Sequence, residues 1–219
     1  MILAVAVLAA LRIFLPRGNS DGAAGDDDFS RYHNETFTCV KVIDGDTIDI
    51  GIADNKSQKH TSYTRVRLWG IDTPELPHHG QAAMYYGYEA AEFARTLMQG
   101  KRVKLELVAG ETRDYYGRLL AYVYLADGWM YSREAIRSGF AYADRRYRHS
   151  RQDEFCQLEA EARANLVGLW AGVQPDQLPK WYRQAALKSF WTDRQAKPGS
   201  GSIRSSQPID SSAVLHRSY

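Results

Sequence analysis

The sequence has little cysteine, little net charge and only one sustained apolar run. Its two cysteines, Cys39 and Cys156, are too few for a disulfide framework, and their spacing matches no zinc motif. One bridge between them and two free thiols are both compatible with the sequence. The formal net charge of +2 excludes a strongly basic chain that would attract nucleic acid by bulk electrostatics. Any binding of nucleic acid would therefore depend on a local site.

The apolar run lies at the amino terminus and reads MILAVAVLAALRIFL. It is too short to span a bilayer comfortably, and Arg12 interrupts it. Basic residues follow the run instead of preceding it, so we interpret residues 1–17 as either a signal peptide or a membrane anchor. A core helix is the alternative interpretation. The favoured one predicts a secreted or periplasmic protein, with membrane association if the segment is retained.

The remaining sequence has a globular composition, with 44% hydrophobic and 25% charged residues, and its length suits one domain with extensions. Residues 18–35 are polar, Gly-rich and acidic, which favours a flexible linker over a helix packed on a core. Residues 36–172 carry the regular patterns of a domain. Residues 173–197 form an extension compatible with a helix, and the Ser/Gly-rich residues 198–219 are predicted to be disordered.

Two hydrophobic periodicities order the elements of the domain. Alternating runs predict strands, apolar residues at helical spacing predict helices, and the resulting order is βββαββαα. The last helix is predicted to begin at a capping box formed by Ser150 and Asp153, with Leu166 in its apolar stripe. The predicted strands occupy residues 36–43, 48–52, 64–71, 103–107 and 119–125, and the predicted helices begin at residues 88, 132 and 150.

Three short segments concentrate the unusual polar residues: IDGDT at 43–47, RLWGIDTPE at 67–75 and DYYGR at 114–118. Hard cations such as Ca²⁺ prefer several oxygen ligands. Asp46, Asp72 and a backbone carbonyl near Thr73 could supply such ligands from two adjacent turns. A site for a calcium-sized ion is therefore predicted.

The same segments carry side chains suited to a phosphodiester. Arg67 and Arg118 offer planar, permanently charged forks that match phosphate oxygens. Glu75 follows Pro74, whose fixed φ helps to aim the carboxylate, so Glu75 could accept a proton from an attacking water. Asp-Gly turns and strand arginines are common singly, but all of these features in one order favour phosphodiester hydrolysis.

These motifs, with LLAYVY after YYGR and the late GLW, resemble the staphylococcal nuclease (thermonuclease) family over about residues 37–170. The resemblance implies an OB-fold, an α+β and mainly β domain in which a five-stranded Greek-key barrel carries three helices. It also implies a Ca²⁺-dependent nuclease that hydrolyses single- or double-stranded DNA and RNA, with the 5′-oxygen leaving to give 3′-phosphate ends. We expect a monomer.

Position by position, the resemblance implies that Asp46 and Asp72 are carboxylate ligands of Ca²⁺ and that Thr73 lends its backbone oxygen, with Asp44 lying behind these ligands. It implies that Glu75 is the general base. The remaining residues that it places at the site are Arg67 and Arg118, which grip the phosphate, and Tyr116, which contacts a terminal phosphate of the nucleotide.

The sequence also departs from the family pattern. Tyr115 stands where the family has a lysine, so the contacts to the nucleotide differ. Tyr147 is the candidate for the base-stacking tyrosine, with Arg145 or Arg146 as alternatives that would act by stacking or charge. The adjacent histidines at 78 and 79 are not predicted to bind a transition metal, because neighbouring turn residues rarely converge on one ion.

Two other functions are compatible with parts of the sequence. One is a non-catalytic OB-fold module that binds nucleic acid or protein, although such modules typically lack some of the acids or arginines that this chain retains. The other is a membrane-surface protein whose basic carboxyl-terminal tail contacts anionic lipid. Digestion of DNA and RNA with and without Ca²⁺ separates these functions from nuclease activity.

Overall fold

The computed structural model describes residues 23–54, 56, 62–78 and 80–184. The predicted signal peptide or anchor and the predicted disordered tail lie outside the described residues. Described residues up to Gln177 belong to one unit, and a second unit starts at Leu178 and is helical at 180–184, within the predicted extension. No helix among the described residues is long and apolar enough to cross a membrane.

Five strands close into a barrel, which confirms the predicted fold class. Their order around the barrel is β1-β2-β3-β6-β5, and β5 pairs with β1 to complete the circle. The β3–β6 pair is parallel and the other pairs are antiparallel. The strands are β1 (Thr36–Val42), β2 (Thr47–Ile50), β3 (Thr64–Leu68), β5 (Arg102–Leu107) and β6 (Leu119–Tyr124), while the short β4 (Ile71–Asp72) and β7 (Tyr142–Ala143) pair separately.

The barrel interior is filled by the apolar members of the alternating runs. In β3, Val66 and Leu68 are buried, whereas Arg65 and Arg67 lie on the opposite face. Burying each large apolar side chain contributes roughly 1.5–3 kcal/mol, so this alternation fixes which face of each strand points inward. The interior includes Ile48, Ile50, Leu105, Leu119 and Val123.

The third strand is shorter than predicted. It ends at Leu68 instead of residue 71, because Gly70 adopts a positive φ of 80° and turns the chain. The chain then resumes as β4, in which Asp72 pairs with Tyr142 of β7. This turn carries Asp72 out of the barrel sheet and toward Arg67, which also binds Asp46.

Three main helices accompany the barrel as predicted, namely α2 (Gly87–Met98), α3 (Tyr131–Arg137) and α4 (Gln152–Ala164). The predicted capping box is wrong, because the N-cap of α4 is Arg151 and no side chain caps the helix. Leu166 is also misplaced in the predicted stripe. It follows the helix with a φ of 54° and is 64% exposed, since the chain has already turned toward Gly168.

A fourth helix corrects the predicted linker. Residues Ala23–Tyr32 form α1, although residues 18–35 were predicted to be flexible. The physical reason lies in its second half, where Tyr32 is fully buried and Asp28 is 1% exposed. Asp28 is not a solvated acid, because Arg113 binds its carboxylate with nitrogen–oxygen distances of 2.9 and 3.1 Å. The acidic composition of this segment therefore predicted a linker where the structure has a helix that packs on the core.

Both cysteines are free thiols, so the alternative of a Cys39–Cys156 bridge is not realised. Cys39 is buried in the barrel core, and this burial raises the pKa of its thiol to about 11. Cys156 lies on α4, where its sulfur accepts a hydrogen bond from Nε of Arg145 at 3.3 Å.

Candidate active site

Two loops that are distant in sequence meet at one end of the barrel. Asp46, in the turn between β1 and β2, accepts two hydrogen bonds through Oδ2, from the Thr73 backbone nitrogen at 2.8 Å and from the Thr73 hydroxyl at 3.1 Å. Gly45 permits this approach, because a Cβ at that position would lie 2.7 Å from Cγ2 of Thr73. The glycine of IDGDT is thus needed for the two loops to meet.

Arg67 joins the two predicted carboxylate ligands. The β2–β3 register places Arg67 opposite Thr47, directly beside Asp46. Its Nη1 lies 2.6 Å from Oδ1 of Asp46, and its Nη2 lies 2.8 Å from Oδ1 of Asp72. All three side chains are largely buried, so the contacts are charge-assisted and poorly screened. The structure therefore brings Asp46, Asp72, Thr73 and Arg67 together.

Negative charge accumulates around this arginine. Burial raises the pKa of Asp46 to about 6, even though Arg67 acts in the opposite direction. Burial also raises the pKa of Asp44, whose Oδ1 accepts a hydrogen bond from the Asp46 backbone nitrogen at 3.0 Å. Asp44 thereby holds the shape of the turn behind Asp46. A cation at this place would relieve the repulsion among the acids.

Glu75 stands at the edge of the same cluster. Glu75 is an exposed residue, but partial burial of its carboxylate and the nearby charges of Asp46 and Asp72 raise the pKa of that carboxylate. Its backbone is held firmly, since its carbonyl accepts a hydrogen bond from the Met84 nitrogen at 2.9 Å. A Cβ on Gly87 would lie 2.5 Å from that carbonyl oxygen, so the start of α2 packs directly on Glu75.

Arg118 is presented by a tight turn before β6. Parallel pairing of β6 with β3 sets Leu119 beside Val66, next to Arg67 in the strand, and Arg118 lines the same cavity as Arg67. Asp114 organises the turn through two hydrogen bonds from Arg118. Its Oδ1 accepts one from the backbone nitrogen at 2.9 Å, and its Oδ2 accepts the other from Nε at 2.7 Å. The guanidinium also lies over the ring of Tyr116, 5.5 Å from its centroid.

One cavity of about 520 Å³ unites these groups. All the predicted catalytic residues and both predicted carboxylate ligands line it, namely Arg67, Glu75, Arg118, Asp46 and Asp72.

The three predicted substrate tyrosines border the same cavity. Tyr115 is 96% exposed and Tyr116 is 79% exposed, so both rings stand free at the rim. Tyr147 packs against Trp69 with ring centroids 5.8 Å apart. Exposed aromatic rings beside charged groups are suited to stack on bases.

Two further residues line the cavity, and the sequence did not single out either of them. Arg146 was one of two alternatives, and Asp144 was missed. Arg145 turns away and forms an ion pair with the buried carboxylate of Glu159. The signal lies in the fold, since the Asp144 backbone nitrogen donates a hydrogen bond to Gly70 and so docks this loop on the β3–β4 turn.

The donor atoms fit a hard cation. Asp46 and Asp72 present carboxylate oxygens to the cavity, and Ca²⁺ prefers such oxygen donors. Among the described residues, no three acidic, histidine or cysteine side chains converge tightly enough to form a metal cluster by themselves.

Comparison with known proteins addresses the chemistry of this cavity. Residues 65–172 match the family described as Staphylococcal nuclease homologue. The chain is also 31% identical over 173 residues to Thermonuclease from Staphylococcus hyicus, a span that covers 78% of this chain and 95% of that protein. The chain belongs to the staphylococcal nuclease family.

Other relatives in the staphylococcal nuclease family agree with this assignment. Thermonuclease from Staphylococcus intermedius is 35% identical over 143 residues, which are 65% of this chain and 77% of the relative. Endonuclease YncB from Bacillus subtilis strain 168 is 32% identical over 136 residues, 61% of each chain. The protein is therefore a nuclease, a phosphodiester hydrolase whose substrates are nucleic acids.

Proposed function

We propose that this protein is a Ca²⁺-dependent nuclease that cleaves DNA and RNA with the 5′-oxygen as leaving group and leaves 3′-phosphate ends. The observation that carries the proposal is the position of Arg67. Its guanidinium bridges the carboxylates of Asp46 and Asp72 in a cavity that also contains Glu75 and Arg118. Oxygen donors for a cation and cationic forks for a phosphate therefore share one site.

The arginines would bind the scissile phosphate. Arg67 and Arg118 each offer a planar fork, and their charge would oppose the negative charge that builds on phosphorus during attack. A preorganised donor of this kind contributes about 3–4 kcal/mol to catalysis. Asp114 supports this role because it fixes the side chain of Arg118 before substrate arrives.

Glu75 would orient the attacking water and accept its proton. Its pKa is raised toward the working range of a general base by partial burial and by the neighbouring acids. The fixed backbone of Glu75 supports this role, since a base must be held within hydrogen-bond reach of the water. In-line attack would then expel the 5′-oxygen on the opposite side of phosphorus.

The cation would be held by Asp46, Asp72 and the backbone carbonyl at Thr73. When bound, Ca²⁺ would polarise the phosphate and stabilise its developing charge. Asp44 would keep the Asp46 turn in shape. Tyr116 would contact a terminal phosphate, while Tyr115 and Tyr147 would stack on bases at the rim.

Digestion assays with an arginine variant test the proposal. We expect the wild-type protein to degrade single-stranded DNA and RNA in Ca²⁺ and to stop in chelator. Arg118→Met should lower kcat by on the order of 10² or more, because one phosphate-binding donor is lost. Arg95→Met on α2 is the matched control, since Arg95 forms an exposed pair with Glu92 and should leave the rate unchanged.

Analysis of the product ends completes the experiment. Fragments should resist extension by a polymerase until a phosphatase removes their 3′-phosphate. Full cleavage in chelator would exclude the metal role, and products with free 3′-hydroxyl ends would exclude the assigned leaving group. If circular dichroism shows that Arg118→Met is folded and the variant is fully active, Arg118 does not bind the scissile phosphate.

A further inference from the structure

A third arginine lies in the cavity and is held in an unusual way. Asp144 is 6% exposed and binds Arg146 side-on, with Oδ1 at 2.9 Å from Nε and Oδ2 at 2.8 Å from Nη2. The same Oδ1 accepts the Arg146 backbone nitrogen at 2.9 Å. These bonds fix the base of the guanidinium, while the side chain remains 36% exposed at the cavity.

The nitrogen of this guanidinium that binds Oδ2 of Asp144 also contacts a predicted metal ligand. Nη2 of Arg146 lies 2.6 Å from Oδ1 of Asp72, and Arg67 binds the same oxygen from the other side at 2.8 Å. One carboxylate oxygen thus serves two arginines. If Asp72 also binds a cation, the positive charges compete for it, and the partner that is easiest to move must give way.

Arg146 is the partner that can move. Its side chain is 36% exposed, against 13% for Arg67, and Asp144 continues to compensate its charge after it leaves Asp72. Arg67 also remains bound to Asp46. A guanidinium that leaves Asp72 while still attached to Asp144 stays in the cavity, where the substrate phosphate would bind.

We propose that Arg146 is a third phosphate-binding residue, which contacts Asp72 in the cation-free protein and transfers to a substrate phosphate when Asp72 takes up the cation. This inference rests on the proposed function, because it requires that the cavity binds both a cation and a phosphodiester. The neighbouring Arg145 cannot share this role, since it is committed to the buried Glu159. Asp144 is the positioning residue that keeps Arg146 in place.

The first test is binding of a fluorescein-labelled single-stranded oligodeoxythymidylate, followed by anisotropy in Ca²⁺ over a series of salt concentrations. A Glu75→Gln background keeps the oligonucleotide intact. Arg146→Met should weaken binding about tenfold and reduce the slope of log K against log salt by about 0.7, the value for one lost phosphate contact on a single strand.

Arg146→Lys serves as the conservative variant, because it retains the charge without the planar fork. The salt slope should return to that of the parent, while affinity recovers only in part. Arg148→Met is the matched control, since Arg148 is an exposed arginine two residues away that is not among the residues lining the cavity. An equal loss in Arg148→Met would mean that only the general charge of the loop matters, which would overturn the inference.

The second test measures Ca²⁺ binding by calorimetry without any oligonucleotide. Arg146→Met should bind Ca²⁺ several-fold more tightly than the parent, because Asp72 no longer has a second arginine to release. Tighter Ca²⁺ binding together with weaker oligonucleotide binding is a result that a merely structural role would not produce. Weaker binding of both ligands would overturn the inference, and if Arg146→Met fails to fold, Arg146→Lys decides by the same measurements.

The two proposals fail separately. Cleavage that continues in chelator would reject the Ca²⁺-dependent nuclease whatever Arg146 does. If wild-type cleavage needs Ca²⁺ and Arg118 but Arg146→Met binds the oligonucleotide like its parent, only the role of Arg146 is wrong.

Discussion

Glu75 differs from the aspartates of the cavity in having no ion-pair partner among the described residues. Asp46 and Asp72 are bound by Arg67, and Asp114 is bound by Arg118. A carboxylate held by arginine is a weak base, because the pair stabilises its ionised form. The pKa of Glu75 is raised, as that of Asp46 is, but the Glu75 carboxylate lies outside these ion pairs and its backbone is fixed, which suits it to accept a proton.

We therefore expect Glu75→Gln to lower kcat by on the order of 10² or more, with little change in the free energy of unfolding. Glutamine preserves the shape of the side chain but cannot take the proton. Single-turnover cleavage of a short oligonucleotide measures the chemical step directly. Glu111→Gln is the matched control, since Glu111 lines the same cavity apart from the acid cluster, and equal losses in both variants would contradict the assignment of Glu75.

The sequence predicted the positions of some site residues better than those of others. Asp46, Asp72 and Arg67 lie in short motifs whose turn chemistry and strand register are local, so their meeting could be anticipated. Arg146 could not be distinguished from Arg145, because two adjacent arginines in a loop have the same local signal. Contacts between distant segments distinguish them, since Arg145 pairs with the buried Glu159 whereas Arg146 binds Asp72 in the cavity.

At the scale of elements, α1 is tied to the active-site turn through Arg113. This guanidinium binds Asp28 of α1 and reaches Oδ2 of Asp54, which follows β2, at 2.8 Å. Its Nη1 also donates to the Gly117 carbonyl at 2.9 Å, within the turn that presents Arg118. The helix therefore contacts, through one arginine, the turn that presents a predicted catalytic residue.

Removal of Arg113 should therefore destabilise the protein strongly. Arg113→Met leaves Asp28 and Asp54 buried without their shared partner, and breaking such a pair typically costs about 3–5 kcal/mol. Urea denaturation followed by tryptophan fluorescence measures the loss. Arg31→Met is the control on the same helix, since Arg31 donates hydrogen bonds to neutral oxygens, the Tyr32 hydroxyl at 3.1 Å and the Ala53 carbonyl at 2.9 Å, and its loss should cost less than that of Arg113.

Equal stability of the two variants would show that α1 is not held by this ion pair. The helix could not be predicted because composition treats every aspartate alike. Asp28 acquires its arginine from a loop 85 positions away, and no local pattern reports that pairing. The barrel strands were easier to predict, since their alternation reflects burial on a single face.

At the scale of the whole molecule, the barrel and helices are the part that periodicity predicts best, and the connections are the part that it misses. Strand and helix order follow from which side chains must be buried. The break at Gly70 and the docking of the loop after β7 depend on contacts between distant segments, and they create the cavity. A sequence motif can therefore name the site residues without showing how the cavity is closed.

Behind the cavity, His149 links the barrel to α4. Its Nδ1 lies 2.9 Å from the Tyr122 hydroxyl of β6, and its ring packs against Phe155 of α4. Nε2 is buried without a hydrogen-bond partner among the described residues. Burial and, to a smaller extent, the nearby Arg151 lower the pKa of His149, whereas Asp144 acts in the opposite direction. The folded protein therefore resists protonation at this position.

This resistance predicts a loss of stability in mild acid. The unfolded chain takes up a proton at His149 as the pH falls below about 6.5, but the folded chain does not until its lower pKa is reached. The contribution of His149 to the free energy of unfolding should therefore decrease through that interval, by at most about 1.4 kcal/mol per pH unit. The raised pKa values of Asp46 and Glu75 act in the opposite direction, since the folded form binds their protons more readily.

A variant isolates the contribution of the histidine from that of the acids. His149→Gln retains a polar group for Tyr122 but cannot titrate, and it leaves Asp46 and Glu75 unchanged. Urea denaturation between pH 7.5 and 5 should show that the variant loses less stability than the wild-type protein as the pH falls, although its stability at neutral pH is lower. Because the acids contribute equally to both proteins, identical pH slopes would mean that His149 protonates as easily in the folded barrel as in the unfolded chain.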